Sequence, residues 1–161
     1  AVAKIALGVG MKVIAFDPYV KEVEIELDFQ GTNQKITVKI NTISMEEVLK
    51  NSDFLTLHVP GGKQPVITCK EIEMMKNGVG IVNASRGGVI SENDLLDGLK
   101  KGKVAYAGLD VFENEPAPSM ILLMDPAVSL TPHIGAATLE AQERIGIELA
   151  TKVVEYLGKI K

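Results

Sequence analysis

The sequence predicts an α/β fold, a doubly wound parallel sheet with an inserted β-hairpin. Three observations carry this. Short apolar runs at 53–59, 79–82, 104–109 and 128–131 each end in polar or glycine-rich turns, the pattern of buried parallel strands. Helical segments with capping signals fall between them, so strand and helix alternate and right-handed crossovers are expected. Residues 22–43 break that rhythm by alternating apolar with polar positions, which reads as a hairpin with one wet face.

The elements follow in order. Residues 1–9 read as a helix with Val2, Ile5, Ala6 and Val9 on one face, ended by Gly8 and Gly10. No start methionine, cap or strand precedes it, so the chain is expected to be a piece of something longer. Residues 11–16 read as a strand stopped by Asp17-Pro18. In the hairpin, Val23, Ile25, Leu27 and Phe29 alternate with acidic residues, and Ile36, Val38 and Ile40 alternate with Thr37, Lys39 and Asn41. Gly31-Thr32-Asn33-Gln34 turns between them. Ser44-Met45-Glu46-Glu47 is a capping box opening a helix to about residue 51. The strand at 53–59 follows and ends in His58-Val59-Pro60. Thr68-Cys69-Lys70-Glu71 is a second capping box, with its helix to about Lys76. After the 79–82 strand, Ser91 and Asp94 cap a helix carrying Leu95, Leu96 and Leu99, ended by Gly102. Pro116 and Pro118 start a loop before the last strand. The final helix spans about 139–157, with Ile145, Leu149 and Val153 along one strip and Ala150, Val154 and Leu157 beside it.

Composition narrows the function classes. The 161 residues have the size of one domain, and no linker divides them. A net charge of −4 with no basic stripe argues against nucleic acid. No apolar stretch reaches the roughly 20 residues of a membrane span. The single cysteine, Cys69, excludes an internal disulfide framework and suits a reducing, cytoplasmic compartment. Two histidines and one cysteine show no metal-ligand spacing.

Chemistry concentrates at the strand ends, where open parallel sheets bind ligands. Val79 to Glu92 reads V-G-I-V-N-A-S-R-G-G-V-I-S-E, with Arg86 at the carboxyl end of its strand. A guanidinium grips a carboxylate through two parallel hydrogen bonds. Two further strand ends supply Asp110 with Glu115, and then His133. Histidine moves a proton near neutral pH, and a carboxylate on its other nitrogen fixes the tautomer. Beside an arginine clamp, that relay suits oxidation of a hydroxy acid by a hydride acceptor. Asp110 is a candidate partner for the nicotinamide carboxamide. Asp17, at the end of the second strand of a dinucleotide-binding unit, is placed to accept from the adenosine ribose hydroxyls and to favour NAD over NADP. Asp-Pro is equally a turn opener. His58 reads as a packed or hydrogen-bonded histidine rather than a catalytic one, and Cys69 is assigned no chemistry.

The motifs N-A-S-R-G-G-V-I at 83–90, G-L-D-V-F-E-N-E-P at 108–116 and T-P-H-I-G-A-A-T at 131–138 resemble the NAD-dependent D-2-hydroxyacid dehydrogenases. So do M-K-V-I-A-F-D-P-Y at 11–19 and S-D-F-L-T-L-H-V-P at 52–60. The likeness is strongest to the branch acting on 3-phosphoglycerate in serine synthesis, and it is weakest over the hairpin. The resemblance implies a Rossmann-type NAD-binding domain over 1–161, lacking its Gly-rich loop and first strand. Its final helix leads back toward a missing substrate domain. Arg86, Glu115 and His133 are implied as the catalytic residues. Cofactor contacts are implied for Asp17, Pro18, His58, Val59, Pro60, Ala84, Ser85, Arg86, Asp110, His133, Ile134, Gly135 and Ala136. The implied partners are a small 2-hydroxy or 2-oxo acid and a second copy in a homodimer. The chain alone is expected to be inactive. A competing reading is an NAD-sensing, corepressor-like interaction module of the same fold.

Overall fold

A computed structural model describes residues 1–29, 31–135 and 137–159. Four parallel strands form the sheet: β3 (Phe54–Leu57), β4 (Val79–Asn83), β5 (Val104–Leu109) and β6 (Val128–Leu130), paired in that order. Strand and helix alternate through α3 (Cys69–Met74), α4 (Glu92–Lys100) and α5 (Met120–Met124). A separate antiparallel pair, β1 (Glu22–Asp28) and β2 (Lys35–Asn41), precedes α2 (Met45–Asn51), and the chain opens on α1 (Val2–Gly8) and closes on α6 (Leu139–Gly158).

Alternation along each strand decides the core. Leu55 and Leu57 of β3, Val79 and Ile81 of β4, and Val104, Ala107 and Leu109 of β5 are buried together. They pack against Val48 and Leu49 of α2, Ile72 of α3, Leu95 of α4 and Leu122 of α5. The intervening positions face away from this core: Phe54, Val82 and Tyr106 remain 54%, 43% and 52% exposed. Gly80 lies between the two aromatic rings, whose centroids are 6.2 Å apart.

The caps behave as the sequence predicts. The Ser44 hydroxyl accepts from Glu47 N–H at 3.2 Å, and the Glu47 carboxylate accepts from Ser44 N–H at 3.0 Å. At α3, Glu71 accepts from Thr68 N–H at 3.0 Å. Ser91 and Thr138 cap α4 and α6. The hairpin also forms as read. Its wet face carries Lys39 paired to Glu22 and Glu24, and Lys35 paired to Glu26 and Asp28. Gly31 turns it with φ of 85°.

Three expectations change. Residues 11–16 do not form a strand. Only Ala15 makes an isolated parallel bridge, to Thr42. A strand needs a ladder of partners, and this segment has one neighbour bridged at one point, although Ile14 still packs against the core. Residues 116–127, read as loop, contain the short helix α5, whose Leu122 is wholly buried. α1 and α6 form where expected, yet their apolar strips lie open. α1 buries nothing, and of α6 only Ala141 is buried.

Candidate active site

The carboxyl ends of β3, β4, β5 and β6 lie side by side because the four strands are parallel and paired in sequence order. Each end releases a turn. After β4, the Asn83 side chain organises the turn: its carbonyl oxygen accepts from Ser85 N–H at 3.1 Å and Ser85 hydroxyl at 2.7 Å, and its amide donates to Arg86 O at 3.0 Å. Ser85 is thereby buried, with its hydroxyl used inside the turn. Ala84 and Arg86 stay exposed. The Arg86 Nη1 donates to Ser85 O at 2.6 Å, so one arm of the guanidinium rests on its own turn. Gly61, in the loop after β3, has φ of 83° and lies against Arg86, where a Cβ would stand 3.3 Å from the arginine Cβ.

After β5, the chain runs through Asp110 to Glu115. Gly87 fits this segment because it has no side chain: a Cβ there would stand 1.8 Å from Phe112 O. The Glu115 Oε1 accepts from Phe112 N–H at 3.0 Å, and Oε2 meets His133 Nδ1 at 2.8 Å. Those two bonds, His133 first, hold the Glu115 carboxyl below its ordinary value. An ionised carboxylate only accepts. The proton on the imidazole is therefore assigned to Nδ1, which leaves Nε2 facing outward with no partner among the described residues. His133 and Glu115 border an open cleft of about 400 Å³, with Phe112, Leu130 and Pro132 on its walls.

Asp110 explains why His133 stands there. It is 7% exposed. Its Oδ1 accepts from Thr131 hydroxyl at 2.6 Å and Ile134 N–H at 2.8 Å, and its Oδ2 accepts from Gly135 N–H at 2.8 Å. Burial pushes this carboxyl up, but the bonds from Thr131, Ile134 and Gly135 together hold it below its ordinary value. The three bonds wrap residues 131–135 around one carboxylate. His133 is left with φ of 55°, the left-handed region that a side chain disfavours.

The structure thus brings Glu115 and His133 into contact and sets Arg86 on the same sheet edge without contact to either. Asp17 adopts its turn role: Oδ1 accepts from Tyr19 N–H at 2.8 Å and Val20 N–H at 3.0 Å. Oδ2 keeps an open side beside exposed Pro18. His58 is hydrogen-bonded, its Nε2 lying 3.1 Å from the Thr56 hydroxyl, and is exposed rather than packed. Val59 is half-buried and Pro60 exposed. Ile134 and Gly135 lie open beside His133, and Ala136 falls outside the described residues. Sequence reasoning missed the structural roles of Asn83 and Asp110, and a reciprocal bond between Glu92 and Glu113. Polar residues within otherwise apolar strand ends were the available signal for the first two.

This edge suits a dinucleotide. Exposed, small or apolar positions at Pro60, Ala84, Pro132 and Gly135 leave room for rings, while both Asp110 oxygens are taken up inside the chain. No helix among the described residues is long and apolar enough to cross a membrane.

Residues 1–135 match the family described as "D-isomer specific 2-hydroxyacid dehydrogenase, NAD binding domain". A hydroxypyruvate reductase from Thermotoga maritima is 43% identical over 98% of this chain, which spans 49% of that protein. A chloroplastic D-3-phosphoglycerate dehydrogenase from Arabidopsis thaliana is 39% identical over 97% of the chain, which spans 25% of it. The crystal structure of a holo D-mandelate dehydrogenase from Rhodotorula graminis superposes with a TM-score of 0.71 at 34% identity, over 86% of this chain and 38% of that one. The chain therefore spans about half, or less, of the proteins it resembles. Sheet order, strand-end histidine and sequence agree: the chain belongs to the D-isomer specific 2-hydroxyacid dehydrogenases and carries their NAD-binding domain.

Proposed function

We propose that the protein to which this chain belongs interconverts a short D-2-hydroxy acid and its 2-oxo acid, with 3-phosphoglycerate as the substrate. The observation that carries the reaction class is the 2.8 Å bond between His133 Nδ1 and Glu115, which leaves Nε2 as the proton-handling atom. In the oxidative direction Nε2 takes the proton of the 2-hydroxyl. In the reductive direction it returns that proton to the oxygen. Glu115 holds the ring through Nδ1 and so fixes its tautomer and orientation. Arg86 swings one arm off its own turn to grip the substrate carboxylate, which orients carbon 2. NAD, when bound, supplies the hydride acceptor. Its contacts are assigned to Asp17 and Pro18, to His58, Val59 and Pro60, to Ala84, Ser85 and Arg86, and to Asp110 and residues 133–136.

The substrate rests on the motif likeness and on relatives that carry the name D-3-phosphoglycerate dehydrogenase, such as the Arabidopsis protein. We place the substrate domain outside this chain, reached through α6, the action in the cytoplasm, and the working unit as a homodimer. The NAD-sensing module has no observation in its favour.

The test uses the full-length protein. Reduction of 3-phosphohydroxypyruvate by NADH should exceed that of hydroxypyruvate and glyoxylate in kcat/KM. A preference for either of those would reassign the substrate, and no turnover of any 2-oxo acid would sink the reaction class. His133→Gln should lower turnover about 10²–10⁴-fold with NADH binding retained, the usual size of a general acid–base contribution.

A further inference from the structure

The loop after β5 and the first turn of α4 exchange hydrogen bonds in both directions. Glu113 N–H donates to the Glu92 carboxylate at 2.7 Å, and Glu92 N–H donates to the Glu113 carboxylate at 2.9 Å. Glu92 is the first residue of α4, so its N–H is one of the donors a helix start leaves unpaired, and a carboxylate there also meets the positive end of the helix. The arrangement has the logic of a capping box made between two distant segments.

It has a cost that asks for a reason. Glu92 is 8% exposed, and burial pushes its carboxyl up. The bond from Glu113 N–H works against that, and the Glu113 carboxylate adds to it. Two acidic side chains facing one another, Glu92 buried and Glu113 exposed, are a poor way to glue two segments for stability alone.

The geometry supplies the reason. Only five residues separate Glu92 from Arg86, and Gly87 between them is pressed against Phe112 O. On the other side, the peptide of Glu113 is the next one after the Phe112 N–H that holds Glu115 Oε1 at 3.0 Å. A path of hydrogen bonds joined by one stretch of backbone therefore runs from Glu92 to Glu113 N–H, along the chain to Phe112 N–H, to Glu115, and on to His133 Nδ1. We propose that Glu92 and Glu113 are positioning residues: their exchange fixes the segment that carries Arg86 against the loop that carries Glu115. This rests on the dehydrogenase reading for its purpose, though its geometry can be tested without turnover.

Two experiments separate the two questions. The chain has two histidines, so ring-nitrogen spectra of the ¹⁵N-histidine-labelled chain report His133 with His58 as internal reference. Wild type should show His133 with its proton on Nδ1. Glu92→Ala and Glu113→Ala should move His133 toward the Nε2–H form that an unconstrained histidine side chain favours, with His58 unchanged. Glu92→Gln, whose amide oxygen still accepts from Glu113 N–H, should restore it. An unchanged His133 in both alanine variants overturns the proposal. If Glu92→Ala shifts both histidines together through loss of fold, Glu113→Ala decides. In the full-length enzyme, Glu92→Ala should lower kcat on the order of 10²-fold, the scale of a small misplacement. NADH affinity should hold, and Glu92→Gln should recover most of the rate. Equal losses in Gln and Ala would overturn it. A wild-type protein that turns over no 2-oxo acid would refute the proposed reaction and leave the tautomer result to judge the positioning role.

Discussion

Asp110 shows how much one side chain can organise. Its three accepted bonds join the end of β5 to the turn after β6. Asp110→Asn keeps one acceptor and turns an amide NH₂ toward backbone donors, and we expect a loss of about 2–3 kcal/mol in urea unfolding. The pH dependence follows from the sign of the shift. Because the folded carboxyl sits below 3.8, its stabilisation is full above that value and is lost as pH falls through the depressed one. Unfolding measured from neutral pH into the acid range should show this acid-side loss in wild type and a smaller one in Asp110→Asn. Gly87 makes a sharper case. Gly87→Ala puts a methyl into Phe112 O, so we expect a loss of at least about 3 kcal/mol or failure to fold, seen as a collapse in soluble yield or melting temperature. At this scale the sequence showed which residues stand at strand ends, hence Arg86, Glu115 and His133. It could not show who holds them. The bonds from Asp110 to Ile134 and Gly135 span 24 and 25 positions, and only the sheet order brings those segments together.

Elements were legible where a local signal decides them. Capping boxes at Ser44 and Thr68 and the alternation of the hairpin need only near neighbours, and each appears where read. Residues 11–16 have the composition of a strand, but strand formation depends on partners, and here one bridge from Ala15 to Thr42 is all they find. α5 was hidden because its five residues are too few to show a period and two prolines precede it. α6 carries the opposite lesson. Its strong period was read correctly, while its neighbours were not readable at all, since Ile145, Leu149 and Val153 are 53%, 62% and 48% exposed. Hydrogen exchange should rank these elements by burial. Amides of β4 and β5 should exchange slowest, and those of α1 and α6 close to the open-chain rate. Protection of α6 equal to that of β4 would mean that its apolar strip is covered in solution.

At the scale of the whole molecule, the chain's parallel sheet has helices packed on one face. A doubly wound sheet is covered on both. The chain spans 49% of the Thermotoga maritima hydroxypyruvate reductase that it resembles. The net charge of −4 gives weak mutual repulsion between copies. The uncovered side of the sheet, with Phe54, Val82 and Tyr106 around Gly80, has a practical consequence. It forms an exposed aromatic platform, separate from the open apolar strips of α1 and α6. A hydrophobic dye such as anilinonaphthalene sulfonate should light up on the native chain at neutral pH, a response otherwise taken as the mark of a loosened core. Here the signal should fall in Phe54→Ser/Tyr106→Ser while the fold, followed by circular dichroism, stays intact, the remainder coming from the open apolar strips of α1 and α6. Brightness in this protein therefore reports an open surface, and a screen that reads dye fluorescence as unfolding would score the native state as damaged.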